Sequence, residues 1–157
     1  MCEGAPNNPG TTGCDTVPTG LARHGGAVYV SAEGGGRPDS ARVYKIDERT
    51  GATLEEWGGL TGATGVAVGD DGSVYVSEVL FGAPEGGGPP PPGFDPSTVG
   101  RIIRIAPDGT RTSLQVTMPT GLAWHGGRLY ASAWSVAGFL GIPHAGQVVS
   151  ISPDAFG

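Results

Sequence analysis

Residues 119–132 read PTGLAWHGGRLYAS, and the same pattern occurs twice earlier in the chain. It reads PTGLARHGGAVYVS at residues 18–31 and ATGVAVGDDGSVYVS at residues 63–77. Each copy places β-branched and aromatic residues on both sides of a glycine turn, which is the pattern of a β-hairpin. The anchoring glycines Gly20, Gly65 and Gly121 are 45 and 56 residues apart, which is typical of one structural repeat per copy.

Further strands follow each hairpin. The pattern predicts third strands at 41–46, 100–105 and 146–151, and fourth strands at 53–57 and 110–116. Four antiparallel strands in about 45 residues are typical of one blade of a β-propeller. The sequence therefore predicts an all-β fold, a partial β-propeller of about three blades that is half of a six-bladed ring. We divide it into an N-terminal segment (1–17), blade 1 (18–60), blade 2 (61–117) and blade 3 (118–157), the last without its fourth strand.

Composition excludes several other classes of protein. With 30 glycines and 14 prolines in 157 residues, almost no window is long enough for a helix of three turns. A net charge of −6 with a single lysine leaves no basic patch for nucleic acid. Apolar runs of four or five residues are far short of the roughly 20 that span a membrane. The first residues lack the basic and apolar regions of a signal peptide, and Cys2 and Cys14 are equally consistent with a disulfide and with free thiols.

Three blades do not close a ring, because propellers use about four to eight. Open blade faces and strand edges favour association with other chains. We expect either a fragment of a six-bladed protein or a chain that forms a homodimer and so completes a six-bladed ring.

The amino-acid sequence of the repeats resembles that of a known family. PTGLA at 119–123, SVYVSE at 73–78, ARVYKI at 41–46 and RIAPDGT at 104–110 resemble the C-terminal half of the ScyD/ScyE family of bacterial β-propellers, over roughly residues 16–152. The resemblance implies a six-bladed, exported protein, so a secreted or cell-envelope location. More remotely, the repeats are similar to NHL repeats and to gluconolactonase-like lactonases. Those lactonases carry Asn or Asp as metal ligands in the Pro-X-Gly motif, where this chain has threonine, a poorer ligand for a hard cation.

The blade topology predicts where a site lies. The three longest connections, 33–40, 80–99 and 134–145, share one face with the Pro-Thr-Gly segments, and long loops on a rigid scaffold commonly bind ligands. Thr19, Thr64 and Thr120 are predicted at the channel mouth of successive blades. Their hydroxyls either ring a polar ligand or cap backbone groups at the strand starts.

Other side chains complete the predicted site. Glu33 and Glu78 follow second strands and can face the mouth as a carboxylate pair, or can be solvated or bound to backbone. Trp134, with Trp124, Phe139 and Leu140, either forms a ligand or partner patch or packs between blades. His144 lies in the third long loop. His24 and His125 occupy equivalent hairpin turns on the opposite face, which favours a structural role.

These observations favour a noncatalytic propeller domain that binds a small molecule or a protein at its loop-rich face, with no cofactor. The alternative is a lactonase-like hydrolase or lyase whose active-site residues lie partly outside this chain. A structural interaction module of NHL type is a third possibility.

Overall fold

The computed structural model describes residues 17–35, 37–84 and 90–157. Cys2, Cys14 and the glycine run 86–88 lie outside the described residues. Eleven strands and three short 3-10 helices are present in the described part, with no α-helix. None of its helices has the length and hydropathy to cross a membrane.

The strands form three separate antiparallel sheets. Sheet 1 consists of β1 (Pro18–His24), β2 (Ala27–Ala32), β3 (Ala41–Asp47) and β4 (Thr53–Leu60), in that spatial order. Sheet 2 consists of β5 (Ala63–Val68), β6 (Val74–Glu78), β7 (Arg101–Ile105) and β8 (Arg111–Leu114). Sheet 3 consists of β9 (Leu122–His125), β10 (Arg128–Ala133) and β11 (Gln147–Ile151). The 3-10 helices are Pro96–Thr98, Ala137–Leu140 and Pro153–Phe156.

Glycine turns join the first two strands of each sheet. In sheets 1 and 3 the turns are Gly25-Gly26 and Gly126-Gly127, and all four glycines have positive φ, which a residue with a side chain adopts at a cost. The three hairpins that the glycine turns predict are all present in the structure.

The first strands lie side by side at the inner edge of the three sheets, since β1 contacts β5 and β5 contacts β9. Successive sheets pack face to face around this edge, and an apolar core fills each junction. The core between sheets 1 and 2 includes Tyr29, Val43 and Ile103, and the core between sheets 2 and 3 includes Tyr75, Ile102 and Leu129. The prediction of an all-β partial propeller is confirmed.

Candidate functional site

The three predicted threonines lie at the inner edge, and two of them, Thr19 and Thr64, hydrogen-bond to the next sheet. β-Bulges at Thr19 and Thr64 interrupt the registers of β1 with β2 and of β5 with β6. The bulges turn the side chains toward the next sheet. The Thr19 hydroxyl donates to the Ala63 carbonyl at 2.8 Å, and the Thr64 hydroxyl donates to the Pro119 carbonyl at 3.1 Å.

Each threonine also pairs with a serine of its own sheet. The oxygen-to-oxygen distances are 3.1 Å for Thr19 and Ser31, 3.1 Å for Thr64 and Ser77, and 2.9 Å for Thr120 and Ser132. The hydroxyls of the first two threonines therefore hydrogen-bond to backbone carbonyls across a sheet junction.

The two glutamates have separate partners. Glu78 is fully buried: its Oε1 accepts the Thr61 backbone N–H at 2.5 Å, and its Oε2 forms an ion pair with Nε of Arg101. Glu33 is half-buried and accepts the Gly35 backbone N–H at 2.8 Å. Both carboxylates therefore accept backbone N–H groups of this chain, and Glu78 also pairs with the charge of Arg101.

An apolar pocket of about 380 Å³ lies between the second and third long loops. Its volume is within the range of about 300–1,000 Å³ typical of small-molecule sites. Every described residue that lines it is apolar: Val79, Leu80, Ala83, Pro84, Pro90, Phe94, Val99, Met118, Val136, Phe139 and Leu140. This apolar pocket on the loop-rich face is our candidate functional site.

The floor of the pocket is a small buried core of its own. Val79, Val99 and Met118 belong to a cluster against which Trp134 packs from behind. Met118 and Trp134 have φ of 45° and 55°, an uncommon conformation for residues with side chains. Their N–H groups donate to the carbonyls of Val99 and Thr117, at 2.8 and 2.7 Å. Trp134, a predicted ligand residue, therefore supports the floor and is half-buried behind it.

One glycine is essential to this floor. Gly100 has a φ of 94°, and a Cβ at this position would lie 2.5 Å from Cδ of Pro119 and 2.7 Å from the Met118 nitrogen. Only glycine permits this close approach of the second loop to the start of sheet 3.

The rim of the pocket exposes large apolar side chains to solvent. Phe139 is 91% exposed, and Leu80 and Leu140 are also exposed. Next to them, the Arg101 guanidinium lies 3.4 Å from the ring centroid of Phe81, a cation–π contact. Clustered exposed apolar residues around a concavity mark a binding surface more often than scattered ones do.

Polar contacts anchor the second loop to sheet 2. Asp95 caps the helix Pro96–Thr98 by accepting the Ser97 N–H at 2.9 Å, and hydrogen bonds from the Ser97 side chain and N–H lower the pKa of Asp95. The Thr117 hydroxyl and the Gln115 amide both donate to the Ser97 carbonyl, at 2.6 and 3.2 Å. The end of the second loop that carries Phe94 and Val99 is thereby held against sheet 2 beside the pocket.

The histidines lie away from this pocket. His144 is exposed, with a φ of 57°. His24 lines a second cleft of about 280 Å³ between sheets 1 and 2 that also includes Lys45 and Asp71. Lys45 Nζ lies 5.7 Å from the Tyr29 ring centroid.

Asp71, in this second cleft, is already engaged. Its carboxylate accepts from the Ser73 N–H at 2.9 Å, from the Ser73 hydroxyl at 2.8 Å and from Arg104 at 3.0 Å. Burial would raise the pKa of Asp71, but these hydrogen bonds together lower it. The Asp71 carboxylate is thus engaged by its own turn and by Arg104 of β7. In the part of the chain that the structure describes, no three His, Cys, Asp or Glu side chains group as metal ligands would.

Sequence reasoning missed most of the pocket. Val79, Val99 and Met118 carry no motif, and they come together only because two loops cross the same sheet junction. A usable signal was the presence of Leu80, Phe81 and Phe94 in a loop otherwise rich in glycine and proline, where large apolar residues are unusual.

The sequence matches no family model. No curated protein is similar to it at a significant level. Solved structures with a similar fold include the nidogen/laminin complex (TM-score 0.58, 16% identity), a luciferin-regenerating enzyme (0.50, 17%) and a virginiamycin B lyase from Staphylococcus aureus solved with quinupristin (0.50, 14%).

These three matches cover 91%, 87% and 90% of this chain but only 47%, 45% and 43% of the respective structures. The chain therefore spans slightly less than half the length of the structures it resembles. All three are propeller-type folds, so the likeness supports a propeller for this chain. At 14–17% identity it concerns the fold alone.

Proposed function

We propose that this chain is a noncatalytic β-propeller domain that binds a small, uncharged, apolar molecule in the pocket between its second and third long loops. The observation that carries the proposal is the pocket itself, about 380 Å³ in volume and lined by apolar side chains from both loops. Hydrogen bonds to the Ser97 carbonyl and from the Met118 N–H hold the end of the second loop, which supports a pocket floor formed before a ligand arrives.

The chemistry of the pocket defines the ligand class. Burial of apolar surface contributes about 25 cal/mol per Å². A charged ligand would lose its hydration without gaining a partner, because none of the described lining residues carries a charge. The aromatic rings of Phe94 and Phe139 favour a flat or aromatic molecule.

The resemblance of the repeats to the ScyD/ScyE family supports a finer proposal, that the chain is a domain of this type in an exported protein. The comparisons support only the coarser likeness to propeller-type folds. Expression of the natural gene with a C-terminal tag, followed by fractionation of its host, would test the location.

An enzymatic role is the alternative. The similar structures include a lyase and a luciferin-regenerating enzyme by title, and also a component of a protein complex, so the shared fold favours neither class. Glu33 and Glu78, the two carboxylates considered for catalysis, both accept backbone N–H groups of this chain, which supports binding as the first proposal. We therefore place binding ahead of catalysis.

Binding can be tested with N-phenyl-1-naphthylamine, an uncharged dye whose fluorescence rises in apolar surroundings. We expect saturable binding to the unmodified chain. Ala83→Phe fills the pocket with a ring at a half-exposed lining position and is expected to weaken dye binding at least about tenfold, or about 1.4 kcal/mol.

The matched control is Ala52→Phe, which adds the same ring at an exposed turn of sheet 1. It is expected to leave binding unchanged. Equal affinity of the dye for both variants, or no saturable binding to the unmodified chain, would remove the case for this pocket.

A further inference from the structure

The junction between sheets 1 and 2 and the junction between sheets 2 and 3 are built from equivalent residues. Toward sheet 2, sheet 1 presents Val43, which pairs in register with Ser31; toward sheet 3, sheet 2 presents Ile102, which pairs with Ser77. Both side chains are fully buried. The equivalent residue of sheet 3 is Val148, which pairs with Ser132 and is 78% exposed. The face of sheet 3 that corresponds to the buried faces of sheets 1 and 2 is therefore exposed to solvent, and no described part of the chain covers it.

At the other end of the three sheets, the outer face of sheet 1 is also uncovered, and it is the face that would receive another sheet. At its junction with sheet 1, sheet 2 presents Val66, Val76 and Ile103, and all three are buried. Val66 follows the anchoring glycine Gly65, and the residue that follows Gly20 in sheet 1 is Leu21. Leu21 is 73% exposed, so sheet 1 carries a receiving face that the described residues leave open.

The inner edge repeats the same asymmetry. Thr19 and Thr64 each donate to the carbonyl of the residue that precedes the next threonine. Thr120 is the third donor of this series, and its hydroxyl pairs with Ser132 within its own sheet. The carbonyl that precedes the first threonine belongs to Pro18, an exposed residue at the inner edge of sheet 1. Donor and acceptor faces therefore lie at opposite ends of the stack of three sheets.

The anchoring glycines indicate how tightly these faces pack. A Cβ on Gly20 would lie 3.0 Å from Cα of Gly65, and a Cβ on Gly65 would lie 2.2 Å from the Thr120 carbonyl oxygen. The next sheet thus requires glycine at both positions. A Cβ on Gly121 would meet only its own Ser132 hydroxyl, at 3.6 Å. Nothing in the described chain explains a glycine here, whereas a docked fourth sheet would.

We propose that the open face of sheet 3 docks head to tail on the open face of sheet 1 of a second copy of this chain, so that two chains close a six-bladed ring. The two new junctions are identical by twofold symmetry and repeat the two internal ones. Six blades lie within the range of about four to eight that close. Two chains would also supply the length of the propeller-type structures that one chain half covers. The inference is independent of the proposed ligand pocket.

The mass of the purified chain in solution tests the proposal, by size-exclusion chromatography with light scattering. We expect a monodisperse species of twice the 15.8 kDa chain mass. A folded monomer, or an open-ended polymer, would overturn the closed ring.

Gly121→Ala tests the specific face. The methyl group has room within the chain, but in the dimer it would meet the neighbouring inner strand as a Cβ on Gly65 would. We expect an unchanged circular dichroism spectrum and a dimer dissociation constant raised at least about tenfold, or 1.4 kcal/mol. Gly138→Ala, at an exposed glycine of the third long loop with nothing near its Cβ, is the matched control and stays dimeric. A Gly121→Ala chain as dimeric as the control would contradict the proposal.

A mixing experiment distinguishes head-to-tail docking from docking of like faces. Leu21→Glu places a charge on the receiving face of sheet 1, so it is also expected to raise the dimer dissociation constant. A mixture of the Leu21→Glu and Gly121→Ala chains can form one intact junction and is expected to associate, at a 1:1 ratio. Like-face docking through sheet 3 predicts instead that Leu21→Glu alone remains dimeric, which would refute the arrangement.

Discussion

Replacement of Arg101 by methionine is expected to destabilise the fold strongly, because it leaves the fully buried Glu78 carboxylate without its charge partner. Methionine retains an apolar stem of similar length, which can still pack on the Phe81 ring. The substitution therefore removes the guanidinium with little loss of volume.

The structure sets the size of the effect. Removal of one partner of a buried ion pair costs about 3–5 kcal/mol. The Glu78 Oε1 keeps its hydrogen bond from the Thr61 N–H, and the Arg101 side chain is itself 25% exposed. Both facts place the expected loss of unfolding free energy at the lower end, about 3 kcal/mol. Since whole domains have about 5–15 kcal/mol, this is a large share.

The equivalent arginine of sheet 1 provides a matched control. Arg42 precedes Val43 as Arg101 precedes Ile102, and it pairs with Glu56 at 3.1 Å. Both side chains of that pair are more than two-fifths exposed, and exposed pairs contribute about 0–1 kcal/mol. Arg42→Met is therefore expected to cost less than about 1 kcal/mol. The double variant Glu78→Gln with Arg101→Met removes both charges and is expected to recover part of the loss.

The assay is equilibrium unfolding in urea, followed by the fluorescence of the partly buried tryptophans. Equal destabilisation by Arg101→Met and Arg42→Met would refute the reasoning. So would a double variant no more stable than the single Arg101→Met chain, because the cost is assigned to an uncompensated buried charge.

Three further predictions follow from the junctions and turns. Gly65→Ala, whose Cβ would lie 2.2 Å from the Thr120 carbonyl oxygen, is expected to cost about 1–3 kcal/mol in urea unfolding, whereas Gly138→Ala, with open space around it, costs under about 1 kcal/mol. Thr64→Val removes the hydroxyl that bonds across to sheet 3 and is expected to cost about 1–3 kcal/mol; an unchanged urea midpoint would count against the role of this bond. The folded-state pKa of Asp71 is lowered from its ordinary value of 3.8, so its stabilising contribution is complete above that pH and is lost as the pH falls toward the folded pKa. The melting temperature measured by circular dichroism should therefore drop between pH 5 and pH 3, more in the unmodified chain than in Asp71→Asn.

The strands were predictable because their signals are local. The predicted third strands 41–46 and 146–151 differ by one residue at one end from β3 (Ala41–Asp47) and β11 (Gln147–Ile151). Alternation of apolar residues, glycine turns and repetition of one pattern all act within about 15 residues of chain.

The partners of the glutamates were not predictable in the same way. Glu78 is the last residue of β6, whereas Glu33 follows β2; the registers pair Pro18 with Ala32 and Ala63 with Glu78, so Ala32 is the counterpart of Glu78. Glu33 lies one residue further along, where its side chain binds Gly35. A shift of one residue reverses the face of a strand on which a side chain lies, and turn patterns alone do not define it.

The sequence by itself determined the repeat, the number of sheets and the positions of the tight glycine turns, because each depends on residues that are neighbours along the chain. Only the tertiary structure decided that the threonine hydroxyls bond across sheet junctions, that Glu78 is buried against Arg101, and that Val79, Met118 and Phe139 share a pocket. Those contacts join residues 20 to 60 positions apart. They form only when the packing of one sheet on the next brings distant loops to the same side of the molecule.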